Sequence, residues 1–354
     1  MNPMSMPGKK KRFWEIGRFL CLLAGAIFMS GCRGACPCAD PPPYPSALAR
    51  QKAEAIQRLL SAAAQRGDFS GAALVAEEGW IIYRNAFGLA DTGKGEAFTP
   101  LHVFGLGTAS ETFTALAVLK LQEQGRLQVN DAAQHYLPGF PYENLTIEHL
   151  LSHTSGLSDG ADQPAASGRE VLERLRAQRP ALGFQPGERF VHCRSGYELL
   201  AAIIERVSGK TYDDFLRHTV FTPAAMNRTF VRDGEVCSTV DDLFTLHRVL
   251  RSGRLLPAET QEKAYSPYIL NGGEKSVAGY GWFVRATGDS PRAVWFGGQG
   301  GEYRVGYYRE IDRDNVIVLL TDARRPPENL EALTRALVDI LHGGDIDDSQ
   351  PRVL

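Results

Sequence analysis

The stretch from Phe104 to Arg126, FGLGTASETFTALAVLKLQEQGR, decides the fold of this chain. Its helical part is apolar on most sides, which is the pattern of a buried helix, and Gly125 is placed to end it. Thr108 is a good N-cap residue, and Glu111 stands three residues later in the capping-box position. We therefore expect a buried helix whose N-terminus places Thr108 and Glu111 on the floor of a cleft.

The composition is that of a globular protein. Hydrophobic residues make up 44% of the 354 residues, which is enough for the core of one large domain or two medium ones. The formal net charge is only −2, and the one basic run, Lys9–Arg12, lies at the extreme N-terminus. The charge balance therefore gives no indication of a nucleic-acid partner, and the function is expected to reside in a site.

The N-terminal residues 1–31 resemble a bacterial lipoprotein signal peptide. The basic run is followed by an apolar stretch, Phe19–Met29, and by a small-residue ending before Cys32. This pattern predicts cleavage before Cys32 and a lipid on its thiol. The alternative is an uncleaved membrane anchor, but an apolar stretch this short spans a bilayer poorly. Arg33 stands where an aspartate would favour the inner membrane, so we expect a periplasm-facing lipoprotein of the outer membrane.

The rest of the chain divides into a tether, a domain and a tail. Residues 32–47 are rich in proline and predict a stiff, extended tether, residues 48–343 form the domain, and residues 344–354 form the tail. The tether cysteines, Cys36 and Cys38, lack the further ligands of a zinc site, so a disulfide or modified thiols are favoured there.

The domain is expected to have an α+β fold. A helix over 47–66 and two β runs, 71–77 and 80–88, open it, and four β runs and a last helix lie between 281 and 341. The region between them reads as helical. This order predicts an antiparallel sheet built from both chain ends and flanked by helices, with a large helical insertion over roughly 108–270. In the domain, Cys193 and Cys237 can pair or stay free, and the sequence leaves this open.

Several linked motifs carry a family resemblance, which covers about residues 50 to 342. They are, in chain order, LTIEHLLSHTSGL at 145–157, QPGERF at 185–190, GYELLAAIIERVSG at 196–209, STVDDLFTL at 238–246 and FGGQGGEYRVG at 296–306. With the opening stretch they resemble the penicillin-recognising serine hydrolases, closest to the class C β-lactamase and DD-peptidase-like branch. The resemblance implies the β-lactamase/transpeptidase-like fold.

The chemical positions of that family are substituted in this chain. The family uses a Ser-x-x-Lys pair, a Tyr-x-Asn element and a Lys-Thr-Gly or His-x-Gly strand for acyl transfer. Set against these motifs, Thr108 stands in the place of the serine and Glu111 in the place of the lysine. The triplet His192-Cys193-Arg194 replaces Tyr-x-Asn, and Phe296-Gly297-Gly298 replaces His-x-Gly, so that only Gly298 fits.

The main interpretation is a catalytically inactive member of the fold that keeps the cleft as a binding site. Catalytic groups act as a unit, and here the nucleophile, its base and the strand-edge polar group are lost together. Because Glu111 replaces a lysine and Arg194 an asparagine, we expect an ion pair between Glu111 and Arg194 across the former active site.

Two alternatives stay open. In the first, Thr108, His192 and Glu111 serve as nucleophile, base and orienting group of a reconfigured hydrolase of amide or ester bonds. In the second, the cleft binds a peptidoglycan peptide, a β-lactam-like ligand or another acyl compound without cleaving it, or an outer face recruits an envelope partner. The ligand-binding residues expected beside Arg194 are Phe296, Gly297, Gly298 and Gln299, with Glu302 nearby.

No metal ion and no organic cofactor are expected. The pair His149 and His153 has the four-residue spacing of metal ligands on a helix, but both residues lie in the structural LLSHTSGL motif of the family. Core or capping roles are therefore favoured for both histidines.

Overall fold

The computed structural model describes residues 46–159, 167–285, 291–323 and 330–344. The expected signal peptide, the lipid site at Cys32, nearly all of the tether and all but the first residue of the tail lie outside the described residues. The described residues from Leu48 onward belong to one compact unit. Within the described ranges, none of the helices is both long enough and apolar enough to cross a membrane.

Strands lie at both ends of the described chain, and most of the helices lie between them. The helices are α1 (Ala47–Arg66), α2 (Ser110–Glu123), α3 (Ile147–Leu151), α4 (Gly168–Gln178), α5 (Arg194–Ser208), α6 (Tyr212–Leu216), α7 (Val240–Arg251), α8 (Ala258–Ala264) and α9 (Leu330–Leu341). The strands are β1 (Gly71–Glu77), β2 (Trp80–Phe87), β3 (Leu89–Asp91), β4 (Glu96–Ala97), β5 (Phe104–Gly105), β6 (Phe230–Arg232), β7 (Glu235–Ser238), β8 (Phe283–Arg285), β9 (Ala293–Gly300), β10 (Tyr303–Glu310) and β11 (Asn315–Asp322).

The main sheet is antiparallel and combines strands from both ends of the chain. Its strand order is β2-β1-β11-β10-β9-β8, so that β1 from the N-terminal end pairs directly with β11 from the C-terminal end. The predicted α+β fold, an antiparallel sheet with helices and a large helical insertion, is therefore confirmed.

The two faces of the sheet belong to two separate core clusters, because side chains alternate along a strand. On β1, Ala73 and Val75 pack in the cluster that contains Ile56 of α1 and Leu337 of α9. The intervening residue, Leu74, faces the cluster that contains α2 and the rest of the helical block. Helix α2 is thus held between the sheet and the other helices, and ten of its residues are buried.

The start of α2 corrects one sequence expectation. Thr108 is not an N-cap residue, because it lies inside a short 3-10 helix, Gly107–Ala109, that leads directly into α2. Ala109 occupies the N-cap position and its side chain makes no capping hydrogen bond. The capping box of Thr108 and Glu111 is therefore absent, and both side chains are available to the cleft.

Helix α8, a small sheet and the two cysteines of the domain add to what the sequence predicts. The seven-residue helix α8 and the small sheet β5-β7-β6 are not predicted from the sequence, because a helix of two turns and strands of two to four residues carry too little periodicity to be recognised. Cys193 and Cys237 are both buried and both free, so the disulfide that the sequence left open is not formed.

Candidate active site

A cleft of about 340 Å³ opens at the N-terminal end of α2. Its floor contains Thr108, Glu111 and Thr112, and its walls come from the segment before β8, from β9 and from two histidines. The lining residues are Thr108, Glu111, Thr112, His153, His192, Ala278, Gly279, Gly281, Trp282, Phe283, Phe296 and Gly297. The predicted position of the opening stretch, at the floor of a cleft, matches this arrangement.

Strand β9 lies directly against the 3-10 turn that carries Thr108, and Gly298 allows this approach. A Cβ atom at Gly298 would stand 2.4 Å from Leu106 O and 2.6 Å from Ala109 N. Thr108 Oγ1 donates to Gly297 O across the same contact, at 3.5 Å, the outer limit of hydrogen bonding. The strand edge and the helix N-terminus therefore form one rigid corner of the cleft.

Two backbone contacts bring the two histidines of the cleft together. Val191 N donates to His153 O at 3.0 Å, and Cys193 N donates to His153 Nδ1 at 3.2 Å. The centroids of the His192 and His153 rings are therefore only 4.5 Å apart. His153 has a backbone φ of 56°, in the left-handed region that non-glycine residues seldom adopt.

Both imidazoles point at the same carboxylate oxygen. His192 Nε2 lies 3.1 Å and His153 Nε2 lies 3.3 Å from Glu111 Oε2. Burial raises the pKa of Glu111, but the hydrogen bonds from the two histidines outweigh it and leave that pKa lowered. The hydrogen bond to Glu111 raises the pKa of His192, against the opposing effect of burial. Glu111 is therefore an anion held by two imidazole groups.

The expected ion pair between Glu111 and Arg194 is wrong, because His192 and His153 occupy the positions beside the carboxylate. Arg194 instead begins α5. Its backbone N–H donates to Asp159 Oδ2, and the backbone N–H of Ser195 donates to Asp159 Oδ1, each at 2.7 Å. Asp159 therefore caps this helix from a distant loop. Burial raises the pKa of Asp159, but the hydrogen bonds from Ser195 and Arg194 outweigh it and lower that pKa.

The structure supplies only half of the alternative triad of Thr108, His192 and Glu111. The base and its orienting group are in contact, since His192 Nε2 bonds to Glu111 Oε2. Among the described residues, the hydroxyl of Thr108 bonds to Gly297 O rather than to His192. A hydroxyl without a base within hydrogen-bond reach is a weak nucleophile.

The expected ligand-binding residues lie on one strand but differ in position. Phe296 and Gly297 line the cleft, and the buried Phe296 ring stacks on Tyr307 with 4.4 Å between centroids. Gly298 faces the 3-10 turn. Gln299 is exposed and accepts a hydrogen bond from Arg304 Nε at 3.3 Å, so its amide stands outside the residues that line the cavity.

The two histidines of the LLSHTSGL motif have different roles. His149 caps α3, as expected, because its Nδ1 accepts from Thr146 N at 3.2 Å. His153 is the cleft residue that the sequence analysis missed. With Glu111 and His192, it completes a set of two imidazoles and one carboxylate that share one site. These three residues are far apart in the chain, so no local sequence pattern indicates the set.

The comparisons with known proteins agree with this fold. The family model described as Beta-lactamase matches residues 56–342. The chain is 29% identical to penicillin-binding protein 4* of Bacillus subtilis strain 168, over 85% of this chain and 78% of the relative. It is 27% identical to the putative penicillin-binding protein PbpX of the same strain, over 61% of this chain and 62% of that protein. In the octameric penicillin-binding protein homologue from Pyrococcus abyssi, the superposed fold has a TM-score of 0.72 at 22% identity and covers 82% of this chain and 78% of that one. The chain therefore belongs to the β-lactamase family, and the proteins that it resembles include penicillin-binding protein homologues.

Proposed function

We propose that this chain is a catalytically inactive, lipid-anchored member of the β-lactamase family that binds a cell-envelope ligand in its cleft. The observation that carries the proposal is the state of the former catalytic corner. Acyl transfer by this family needs a nucleophile whose proton is taken by a neighbouring base. Here a threonine takes the place of the serine, and an anionic carboxylate takes the place of the lysine.

The partners of these groups argue further against acyl transfer. Glu111 Oε2 already accepts from two imidazole groups, and Thr108 Oγ1 turns to Gly297 O. Among the described residues, therefore, the hydroxyl of Thr108 donates to a backbone carbonyl and not to a basic side chain. Since catalytic groups act as a unit, the loss of all of them removes most of the rate enhancement rather than a part of it.

The shape of the cleft nevertheless favours a ligand. Strand β8 pairs with β9 only at Ala293–Trp295, so β9 from Phe296 onward presents an edge that β8 does not cover. An extended peptide can add to such an edge through backbone hydrogen bonds, while the aromatic walls at Trp282 and Phe283 accept apolar groups. A peptidoglycan stem peptide or a β-lactam-like compound, the ligand class suggested by the names of the penicillin-binding relatives, suits this geometry.

The decisive experiment is exposure of the purified full chain to a fluorescent penicillin, followed by mass spectrometry, in parallel with turnover assays on nitrocefin and p-nitrophenyl esters. We expect no covalent label and no turnover. Thermal shift with muropeptides and penicillins should raise Tm, because a ligand that binds only the folded state stabilises it. An adduct on Thr108, or turnover that is lost in Thr108→Ala, would establish the hydrolase alternative instead.

The envelope location is a separate part of the proposal and needs its own test. The signal-peptide pattern before Cys32 supports it. In a bacterial host, the wild-type chain should incorporate an alkyne-tagged fatty acid and fractionate with the outer membrane, and Cys32→Ser should abolish the labelling. Equal labelling of the wild type and Cys32→Ser would contradict lipidation at Cys32. Recovery of the wild type in the inner membrane would contradict the outer-membrane assignment.

A further inference from the structure

We propose that Glu111, His153 and His192 form a binding site for a Zn²⁺-class divalent metal ion at the floor of the cleft. This inference does not depend on the proposed ligand. One ligand atom from each residue lies within 4.8 Å of the other two. Two imidazoles and one carboxylate are a ligand set that holds zinc and related metals while leaving coordination positions open.

Two of the three separations between the ligand atoms match those of a metal site. In a tetrahedral zinc site, ligand atoms about 2.0–2.1 Å from the metal are about 3.3–3.4 Å from one another. The two imidazole nitrogens are 3.1 and 3.3 Å from Glu111 Oε2. Small rotations of these side chains can therefore admit an ion between the three groups.

The carboxylate has coordination capacity that the protein leaves unused. Glu111 Oε1 is buried and has no hydrogen-bond partner among the described residues. A buried polar atom without a partner is unfavourable, and it usually indicates a role or an absent ligand. A metal ion bound to the Glu111 carboxylate would compensate this oxygen as well as Oε2.

The surrounding backbone holds the two imidazoles in place but imposes one adjustment. His153 is fixed by the 191–193 segment through its carbonyl and through Nδ1, which accepts from Cys193 N. A metal at Nε2 requires the ring proton on Nδ1, so this hydrogen bond must lengthen when the ion binds. The ion also replaces the two hydrogen bonds that the imidazoles donate to Glu111 Oε2, because both Nε2 atoms must release their protons to coordinate it. Three coordinate bonds from side chains stand against these three lost hydrogen bonds.

The substituted positions are consistent with this reading. Relative to the family motifs, the lysine position carries a carboxylate and the tyrosine position carries an imidazole, so that two groups that bind zinc poorly are replaced by two that bind it well. The cleft side of the site is open, since all three residues line the cavity. A bound ion would there present free coordination positions to an oxygen donor such as a carboxylate or carbonyl group.

The test is a metal titration of the full chain after removal of metal with a chelator. Cobalt(II) is followed by its visible absorption, and zinc by competition with the cobalt. We expect one equivalent of cobalt at a nitrogen- and oxygen-ligated site, its displacement by zinc, and a rise in Tm with zinc. Glu111→Gln, His153→Gln and His192→Gln should each lower the affinity by more than about 100-fold, since even supporting residues around metal sites account for about 10–100-fold.

His135→Gln is the matched control, because His135 is exposed and lies outside the cleft. Its affinity should equal that of the wild type. Circular dichroism and Tm in chelator show whether each variant is folded, and the Glu111→Gln change keeps the size of the side chain. Three results would overturn the three-residue site. The wild type does not bind the metal, its cobalt spectrum is of the thiolate type and comes from the N-terminal cysteines, or any one of the three folded cleft variants keeps the wild-type affinity.

Discussion

Glu111 and His192 meet at 3.1 Å on the floor of the cleft, at positions where the family motifs carry a lysine and a tyrosine. The two substitutions compensate each other. A buried carboxylate alone would be unfavourable, but His192 donates to it, and His153 does the same from the other side. The altered corner is therefore a connected polar network rather than the remains of a catalytic one.

This network predicts energetic coupling between Glu111 and His192. We expect a coupling free energy of about 0.5–2 kcal/mol between Glu111→Gln and His192→Ala, measured in the presence of chelator. Either single variant already removes the hydrogen bond between the two residues, so the double variant loses that bond only once. The measurement is urea unfolding of all four proteins. Pairing His135→Ala with Glu111→Gln serves as the control, and additive effects for Glu111 and His192 would contradict the network.

Restoring the hydroxyl of the family nucleophile should not restore acylation. Thr108→Ser supplies the serine, but Glu111 is an anion already bonded to two histidines and provides no equivalent of the lysine. We expect no penicillin adduct on residue 108 by intact-protein mass spectrometry. If penicillin labels Thr108→Ser faster than it labels Thr108→Ala, the remaining groups of the cleft still activate a nucleophile.

Asp159 should stabilise the protein only while it is ionised. Its carboxylate accepts the first two backbone N–H groups of α5, so Asp159→Ala should lose about 1–2 kcal/mol of unfolding free energy at pH 7. Because the folded pKa of Asp159 is lowered, this contribution is present above the unfolded pKa and disappears as the pH falls through the folded pKa. Chemical unfolding at pH 7 and near pH 3 measures it. Asp159→Asn keeps an acceptor oxygen and should lose less, and a penalty for Asp159→Ala that is the same at both pH values would contradict the charge-dependent cap.

Much of the fold is predictable from the sequence because its signals are local. Helix α1 and strand β1 begin and end where the amphipathic pattern and the flanking turn place them. The turn between the first two strands needs positive φ at two residues, and Glu78 and Gly79 adopt 51° and 80°. The family motifs supply the remaining order of elements.

The details of the site depend on contacts between distant segments, and local patterns do not report these. The N-cap prediction for Thr108 is wrong because a 3-10 turn precedes α2, and the hydroxyl instead donates to Gly297 O of β9, 189 positions away in the chain. The structural motif predicts a core or capping role for His153, whereas hydrogen bonds from the 191–193 segment to its carbonyl and its ring hold it in the cleft. Charge complementarity predicts a cationic partner for Glu111, but it does not tell which residue supplies it. In the structure, His153 and His192 contact the carboxylate, and Arg194 does not pair with it.

Glu198 should reduce stability at alkaline pH. Burial raises the pKa of this half-buried residue of α5 to about 7, although Arg194 acts against the shift. The folded state then holds the proton more tightly than the unfolded state, so stability falls as the pH rises from the unfolded pKa of about 4.3 to about 7. Glu198→Gln should therefore have little effect at pH 4 and should stabilise the protein by about 1–2 kcal/mol at pH 8.

The measurement for Glu198 is chemical unfolding of both proteins at the two pH values. Glu173→Gln, at an exposed position on α4, is the matched control and should show no such pH dependence. A Glu198→Gln effect that is equal at pH 4 and pH 8 would contradict the raised pKa.

The neighbouring glycines of β9 should respond differently to the same added methyl group. In Gly298→Ala the new Cβ would stand 2.4 Å from Leu106 O and 2.6 Å from Ala109 N, both backbone atoms, so the strand must move away from the turn that carries Thr108. Such overpacking should lower the unfolding free energy by about 1–3 kcal/mol. In Gly297→Ala the nearest atom is Val305 O at 3.4 Å, an ordinary contact, and we expect a change within about 0.5 kcal/mol. Urea unfolding of the two variants tests this directly. Equal destabilisation of both would mean that the close approach of β9 to the 3-10 turn does not determine the shape of this corner.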